Sequence, residues 1–527
     1  MHVRQLGIMM LKKVSVAGKV CFKIIDVLFI ILILAILYST LLLDNHVGNP
    51  FPNLVTYSNG GFYFTAFLLL CGIVYILVKI NRMHMMTKTF YIVVGIVAFV
   101  TLIAQTTVAF WIPEGYTNEF RVIHDMAIKL SQRNYVWEDY FLINPNNVHI
   151  TILISWIYGI ADNWCLVVWV GAVLANLSAV FAALTVYQIT GNGGGCIVVL
   201  MIAEGLVGMS CRSFFVYTDN YGMLFTIVML WIYVSNIKKE YKGPLILIFG
   251  LVGAWIKITV LIPLIAIGVC ALLKILITES FNNKKEIIIS FILCFLIVVT
   301  GYGINKFVVD KYEYEQSESA LGMRFYLMMG QDESGLGTVR GEQYAQIFQD
   351  ICDNYSERNE IENACLRVAL DWIKERGIWG NIKYYLKKID VAYIDGYFHH
   401  LEPYDKSTVS KNLIYDLYVR DGKYFFLRAD IMQVLWDLVL LLISFDIVIC
   451  ILKKQKEVFS VFKITILGIT LYLMLFEDRS KYLFMFLNIY IAYAGLMLNE
   501  LLMEIRQIYN IYKPNKCSCQ KEEETII

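Results

Sequence analysis

Residues 117–150, TNEFRVIHDMAIKLSQRNYVWEDYFLINPNNVHI, form a polar, helix-compatible stretch that lies between two apolar runs. The preceding run, residues 90–112, is long enough to cross a bilayer, because a transmembrane helix needs about 20 apolar residues. The polar stretch therefore begins at a membrane surface. Its first carboxylate, Glu119, is placed at the boundary between lipid and water, where an acid or base can meet a lipid-borne substrate.

The composition is that of a membrane protein. Of the 527 residues, 58% are hydrophobic, and the mean hydropathy is +0.60. Soluble domains contain only about 45–50% apolar residues. The net charge of +1 argues against nucleic acid as a partner, because binding a phosphate backbone needs a basic surplus on one face.

We predict an all-α polytopic membrane protein with about 12 transmembrane helices, because that number of apolar segments approaches spanning length. They cover residues 27–43, 62–78, 90–112, 164–189, 196–209, 221–236, 244–256, 258–277, 287–305, 431–452, 458–476 and 483–502. Val148–Ile160 is shorter and is followed at once by polar residues 161–163. We expect it to be a re-entrant or interfacial half-helix.

The basic residues near the segment ends predict the orientation, because cells keep them on the cytoplasmic side. They are Lys79, Arg82, Lys88, Lys238, Lys239, Lys242, Lys284, Lys285, Lys453, Lys454, Lys456, Arg506, Lys513 and Lys516. This places both termini in the cytoplasm and four segments outside: residues 113–147, 210–220, 305–430 and 477–482. Membrane lipid surrounds the apolar segments.

The predicted organisation follows from that orientation. Residues 1–26 form a cytoplasmic N-terminus, and residues 27–304 form a transmembrane module that includes the outer loop 113–147. Residues 305–430 form one large extracytoplasmic loop domain. The C-terminal transmembrane helices cover residues 431–502, and a cytoplasmic tail covers residues 503–527.

The candidate catalytic residues all fall on the predicted outer face. Glu119 and Asp219 supply carboxylates that could act as a general base toward an acceptor hydroxyl. Lys257, Arg479 and Lys481 supply positive charge for a departing phosphate. The alternatives are charges solvated at the interface, a lysine that snorkels at a helix end in the case of Lys257, and a charged helix-end cap at residues 477–481.

Metal binding has only weak signals. His399, His400, Glu402 and Asp405 form one cluster, and Asp219 with Glu119 could hold a hard cation through oxygen. Neither group has a diagnostic ligand spacing, and the sequence has no HExxH or Walker A motif. We therefore predict no resident metal or other cofactor and leave a divalent cation open.

Several short motifs occur in a defined order. They are Tyr140, Phe141, Pro145, Asn146 and Asn147; Tyr217, Thr218 and Asp219; Ile256 and Lys257; Met328, Met329, Gly330, Gly335 and Gly337; Lys388, Asp395 and Gly396; and Glu477, Lys481 and Tyr482. Together with an acidic residue after an early span, this order resembles the bacterial integral-membrane glycosyltransferases of the GT-C superfamily, of the protein O-mannosyltransferase and aminoarabinose transferase type. The resemblance covers residues 90–500.

The resemblance implies a polyprenyl-phosphate sugar as donor, an inverting reaction and Glu119 as the base. Asp219 would orient the acceptor or hold a cation. The residues Asn146, Asn147, Tyr217 and Tyr482 would contact substrate. The acceptor would be a glycan, a teichoic acid, a glycolipid or a protein.

Two positions depart from that family's pattern. Glu119 stands where the family usually has Asp, and Lys481 precedes Tyr482 where the family has Arg. Because lysine lacks the bidentate fork of arginine, the sequence favours Arg479 over Lys481 as the phosphate-binding residue.

Two other classes of protein remain alternatives to a glycosyltransferase. A transporter or flippase for lipid-linked glycans would use the intramembrane charges to line a path, and such folds often show paired halves, of which the sequence has no sign. An envelope polysaccharide polymerase or ligase would share the large outer loop. We would expect its essential arginines within that loop, whereas the candidates here lie mainly at span ends.

Overall fold

A computed structural model of the chain describes residues 2–42, 70–76, 78–80, 86–112, 119–277, 284–318, 320–338, 341–398, 410–453 and 456–512. The regular structure in these ranges is helical, without a strand. The prediction of an all-α protein is confirmed for them.

The helices vary widely in length. In chain order they are α1 (His2–Leu42), α2 (Thr87–Trp111), α3 (Glu119–Ser131), α4 (Asp139–Ile143), α5 (Val148–Ile160), α6 (Trp164–Thr190), α7 (Gly193–Ala203), α8 (Thr218–Val234), α9 (Lys239–Ile256), α10 (Leu261–Ile277), α11 (Lys284–Lys311), α12 (Met323–Gln331), α13 (Glu342–Asn354), α14 (Arg358–Tyr393), α15 (Leu413–Tyr418), α16 (Phe425–Leu452), α17 (Ser460–Leu475), α18 (Lys481–Phe484) and α19 (Leu487–Tyr512). Short 3-10 helices cover Pro145–Asn147, Cys211–Phe214, Ile258–Val260 and Glu457–Phe459, and a π-helix covers Glu204–Gly208.

Five helical segments in the described residues are long and apolar enough to cross a membrane. They are Gly18–Thr40, Thr87–Trp111, Trp164–Thr190, Phe425–Leu452 and Glu457–Leu475. Three further apolar helices are shorter: Leu70–Ile80, Gly193–Gly208 and Ile258–Lys274. The predicted span 62–78 lies partly outside the described residues. A membrane protein with several apolar helices is supported, while the number of twelve crossings stays a prediction.

The half-helix predicted from its short apolar run has the expected bounds. α5 contains 13 residues, and the backbone leaves the helical conformation at Ala161. Asn163 then caps α6, because its side chain accepts a hydrogen bond from the Cys165 amide. α5 packs against α3 and α6. Its position relative to a membrane stays a prediction.

The main core is built around α6 and the C-terminal helices. α6 presents a face of small buried residues, Ala175, Ala179, Ala182 and Ala183, that lets neighbouring helices approach closely. α8, α2, α7 and α19 pack around α6. This arrangement brings the start of α8, in the middle of the chain, close to the segment before α19.

The described part of residues 305–430 contains several helices. α11 continues to Lys311, and α16 already begins at Phe425, so the two predicted boundaries fall inside helices. α12, α13 and the first half of α14 bury an apolar cluster of their own. α14 then bends at Gly377, where φ is 60°, a conformation that glycine adopts readily. Its second half packs against α1 and α17.

Candidate functional site

Glu119 lies at the N-terminus of α3. Phe120 and Ile123 on the same helix are buried in an apolar cluster. The Phe120 ring makes edge contacts with Phe215 and Tyr217, at centroid distances of 5.0 and 5.4 Å. Because Phe120 follows Glu119 directly, these contacts bring the carboxylate to the segment that leads into α8.

Glu119 itself is only partly buried, and its carboxylate makes no hydrogen bond or ion pair with the described residues. The positive end of the α3 dipole favours its negative charge.

Asp219 and Lys257 form an ion pair, with the lysine Nζ donating to Asp219 Oδ1. Asp219 lies in the first turn of α8 and is 3% exposed. Lys257 has extended backbone angles between α9 and the 3-10 helix Ile258–Val260. The chain leaves the helix at Lys257, which lets the ammonium reach Asp219.

Tyr482 lies between two ammonium groups. The Nζ of Lys257 is 4.9 Å from the ring centroid, and that of Lys481 is 4.8 Å away. The tyrosine hydroxyl donates a hydrogen bond to Glu477. Glu477 also lies opposite Arg479, with 3.8 Å between its Oε1 and the arginine Nε. The three predicted phosphate-binding residues therefore lie in one group around Tyr482 and Glu477.

Lys481 differs from its two cationic neighbours. It forms no ion pair with a carboxylate in the part of the chain that the structure describes. Burial lowers its pKa, and the charges of Glu477 and Glu119 act in the opposite direction. Lys481 is therefore close enough to Glu119 for the two charges to interact, without a direct contact between them.

Two tyrosines lie close enough to Glu119 for its charge to act on them. Burial is the main cause of a raised pKa at Tyr140 and at Tyr217, and the Glu119 charge adds to it at both. The Asn147 side-chain amide donates to the Tyr140 hydroxyl at 2.7 Å. Asn146 is exposed, so of the two adjacent asparagines predicted to contact substrate only Asn147 lies among these residues.

Arg212, which the sequence did not single out, belongs to the same group. Its side chain is buried in the 3-10 helix Cys211–Phe214, where Nε donates to the Phe398 carbonyl at 2.6 Å. Burial lowers its pKa, and the charges of Asp219, Asp395 and Glu119 raise it. The available signal was a lone basic residue in the predicted outer turn 210–220.

Three residues contact the segment 476–478 and hold it in place. We call this group, Gly330, Gly337 and Lys388, the clamp. Lys388 Nζ donates to the carbonyls of Gly330 and Phe476, both at 2.7 Å. The Asp478 amide donates to the Gly337 carbonyl at 3.0 Å. A Cβ on Gly330 would come within 2.6 Å of the Phe476 carbonyl oxygen, so only glycine fits there. The clamp fixes residues 476–478, next to Glu477, Arg479 and Lys481.

The described residues contain no group of three or more His, Cys, Asp or Glu side chains that could hold a metal ion. The predicted cluster of His399, His400, Glu402 and Asp405 lies outside the described residues. At the other predicted cation site, Lys257 occupies one Asp219 oxygen. The question of a divalent cation stays open.

A comparison with protein families bears on the class of protein. A family model described as "conserved hypothetical integral membrane protein" matches residues 18–502. The chain belongs to this family. No curated protein and no solved structure matches it. Membership of this family supports the prediction of an integral membrane protein.

Proposed function

We propose that this integral membrane protein is a glycosyltransferase of GT-C type. It would transfer a sugar from a polyprenyl-phosphate donor to a hydroxyl of a cell-envelope acceptor, on the outer face of the plasma membrane. One observation carries the proposal. The Glu119 carboxylate and the Lys481 ammonium lie near each other, and both lack an ion-pair partner among the described residues. A base and a phosphate-binding cation need these two properties.

Glu119 would act as the general base. It takes the proton of the acceptor hydroxyl while the hydroxyl oxygen forms a bond to the anomeric carbon of the sugar. The bond between that carbon and the phosphate oxygen breaks, and its electron pair stays with the polyprenyl phosphate. Attack opposite to the leaving phosphate inverts the anomeric configuration. Tyr140 and Tyr217 would border the acceptor, because both sense the Glu119 charge.

Lys481 would stabilise the leaving phosphate. Asp219 already neutralises Lys257, and Glu477 lies opposite Arg479, whereas Lys481 has no such partner in the described chain. This geometry favours Lys481 over Arg479, in contrast to the expectation from the sequence. Arg479 and Arg212 would add positive charge nearby.

Asp219 would have a positioning role. Its ion pair with Lys257 holds the ammonium against the face of Tyr482. The carboxylate is therefore less suited than Glu119 to accept a proton, and we assign it to orienting the acceptor and the lysine.

The test is sugar transfer from synthetic polyprenyl-phosphate sugars, in membranes that contain equal amounts of wild type or of Glu119→Gln. We expect transfer to fall by about 100-fold or more in the variant, because general base catalysis contributes on that scale. Asp125→Asn is the matched control, since Asp125 lies on the same helix in an exposed pair with Arg121. It should leave transfer unchanged.

Equal transfer by wild type and Glu119→Gln would remove Glu119 as the base and make Asp219 the next candidate. If no donor in a broad panel is used, yet lipid-linked glycan crosses vesicles that contain the protein, the transporter alternative replaces this proposal.

A further inference from the structure

Glu204 is a buried carboxyl group that the proposed reaction does not use. It begins the π-helix Glu204–Gly208, inside the apolar segment Gly193–Gly208. The residue is 7% exposed, and both carboxyl oxygens are buried without a hydrogen-bond partner in the described residues. A bare carboxylate in such surroundings is costly, so an intramembrane group of this kind indicates a bound partner.

Gln105 on α2 is a second buried group of the same kind. It is 1% exposed, and neither its amide nitrogen nor its amide oxygen has a hydrogen-bond partner within the described ranges. Unpaired buried polar atoms are uncommon in folded proteins. Two such side chains in one region of the bundle call for a common explanation.

Contacts around Gly208 place Glu204 next to α2, the helix that carries Gln105. A Cβ on Gly208 would lie 3.2 Å from Glu204 Oε2 and 3.0 Å from Thr101 Cγ2. The Glu204 carboxyl group and Thr101 are therefore neighbours across the interface between the π-helix and α2. Gln105 is one helical turn beyond Thr101 on the same face of α2.

The elements packed around the π-helix offer Glu204 no ion-pair partner among the described residues. From α16, Arg428 donates to the Met209 carbonyl at 2.6 Å and stacks on Tyr418, while Leu435 contacts Gly205. Arg212, in the following turn, donates to Phe398. The nearby polar groups of α6 are engaged with α2: Asn176 donates to Ala98, and Trp169 donates to Thr106.

We propose that Gln105 and Glu204 form an intramembrane site for one monovalent cation, either a sodium ion or a proton. One carboxylate neutralises one positive charge, whereas a divalent ion would leave an unmatched charge in an apolar region. The two carboxyl oxygens and the amide oxygen are hard ligands. A π-helix also frees backbone carbonyls, and irregular helix segments hold sodium ions or protons in other membrane proteins.

This cation site is independent of the proposed transferase activity, yet it lies next to Arg212, which belongs to the proposed active site. The π-helix ends at Gly208, the carbonyl of the following residue Met209 accepts a hydrogen bond from Arg428, and the next turn carries Arg212. Ser213 Oγ also donates to the Val207 carbonyl at 2.5 Å. Occupation of the site would thus be transmitted to the turn that holds Arg212.

The test measures equilibrium binding of radiolabelled sodium to the purified full chain in detergent, with choline as the replacement ion. Infrared spectra recorded across a pH series report whether a carboxylic acid is present. The variants are Glu204→Gln and Gln105→Leu. Asp437→Asn is the control, because Asp437 lies on α16 with Gln433 as its partner. Each variant is first checked for cooperative unfolding.

Saturable sodium binding in wild type and in Asp437→Asn, weakened at least about tenfold in both site variants, identifies a sodium site. Without sodium binding, a carboxylic acid band that disappears with rising pH, and that Glu204→Gln removes, identifies a proton site. The proposal is overturned if sodium does not bind and Glu204→Gln leaves the infrared spectrum and its pH dependence unchanged. If Glu204→Gln does not fold, Gln105→Leu decides, because it keeps the carboxyl group: unchanged sodium affinity and an unchanged band then overturn the proposal.

Discussion

Two of the charged groups in the described part of the chain differ in how their charges are matched. Around Lys463 on α17, Nζ lies 2.6 Å from Asp26 Oδ1 and 3.0 Å from Asp446 Oδ2, and the Tyr493 hydroxyl donates to Asp446 at 2.7 Å. Lys463 and Asp446 are both fully buried. In the proposed active site, by contrast, Glu119 and Lys481 have no ion-pair partner among the described residues.

From this difference we infer a structural role for the first group, and it supports the chemical role that we propose for the second. The group around Lys463 joins α1, α16, α17 and α19. Each of its side chains forms an ion pair or a hydrogen bond with another side chain of the group. Such a buried network is costly to break because the remaining charge is left without a partner. The group around Glu119 and Lys481 leaves charge available to a substrate. The predictions below test this contrast.

The largest effect is expected for Lys463→Met. It leaves Asp26 and Asp446 without a cation, so we expect the free energy of unfolding to fall by about 3–5 kcal/mol. Chemical unfolding of the purified protein measures this change. Lys463→Met combined with Asp446→Asn should recover part of the loss. An unchanged unfolding midpoint in the single variant would show that the network is not structural.

Lys388→Met should come next. It removes two hydrogen bonds from a charged donor to the Gly330 and Phe476 carbonyls, which corresponds to about 2–3 kcal/mol of stability. Transfer should also fall, because residues 476–478 lose their anchor. Equal stability of wild type and variant near neutral pH would contradict a stabilising role of the clamp.

The same variant allows a test by pH. Burial lowers the pKa of Lys388 to about 8, below the value of about 10.4 for an exposed lysine. Between these two values the unfolded chain binds more protons than the folded chain, so wild-type stability should rise with pH through this range. Lys388→Met should lack this increase. Parallel stability curves for the two proteins would argue against a buried lysine with a lowered pKa.

Lys481→Met should reduce transfer by about tenfold or more with little loss of stability, because it removes a charge that has no ion-pair partner in the described structure. The variant Lys481→Arg keeps the charge and should retain most of the activity. Transfer assays at matched protein amounts, together with thermal unfolding, separate the two effects. A large drop in stability without a specific loss of transfer would move Lys481 into the structural class.

The smallest effect is expected for Arg121→Ala. Its pair with Asp125, at 3.4 Å, is exposed to solvent, and such pairs contribute at most about 1 kcal/mol. Unfolding and transfer should both resemble wild type. A strong effect on transfer would instead place the outer face of α3 in contact with a substrate.

The sequence predicted which charged residues lie close together, but it did not predict which of them form ion pairs. Periodicity and apolar runs were enough for the all-α fold and for the bounds of α5. The positive-inside rule placed residues 119, 219, 257 and 481 on one face, and the structure brings them into one group. The interaction of Lys257 with Asp219, and the lack of an ion-pair partner for Lys481 among the residues described, depend on tertiary packing, which one sequence does not specify.

Other features were beyond the reach of sequence patterns for physical reasons. Asn146 and Asn147 are adjacent and chemically identical, but the 3-10 turn exposes one and buries the other. Arg212 belongs to no motif, and only the fold brings it to Glu119. The π-helix at Glu204 could not be predicted, because its residues have no local signal that distinguishes them from an ordinary helix.

The wide spacing of the site residues along the chain has a consequence for biosynthesis. The ribosome makes Glu119, Asp219 and Lys257 well before Lys481, and Asp219 can neutralise Lys257 as soon as α8 and α9 are inserted. Glu477, Arg479 and Lys481 arrive together with the last helices, and Glu477 accompanies Arg479 from the start. Lys481 therefore comes close to Glu119 only after the last helices have been made and packed.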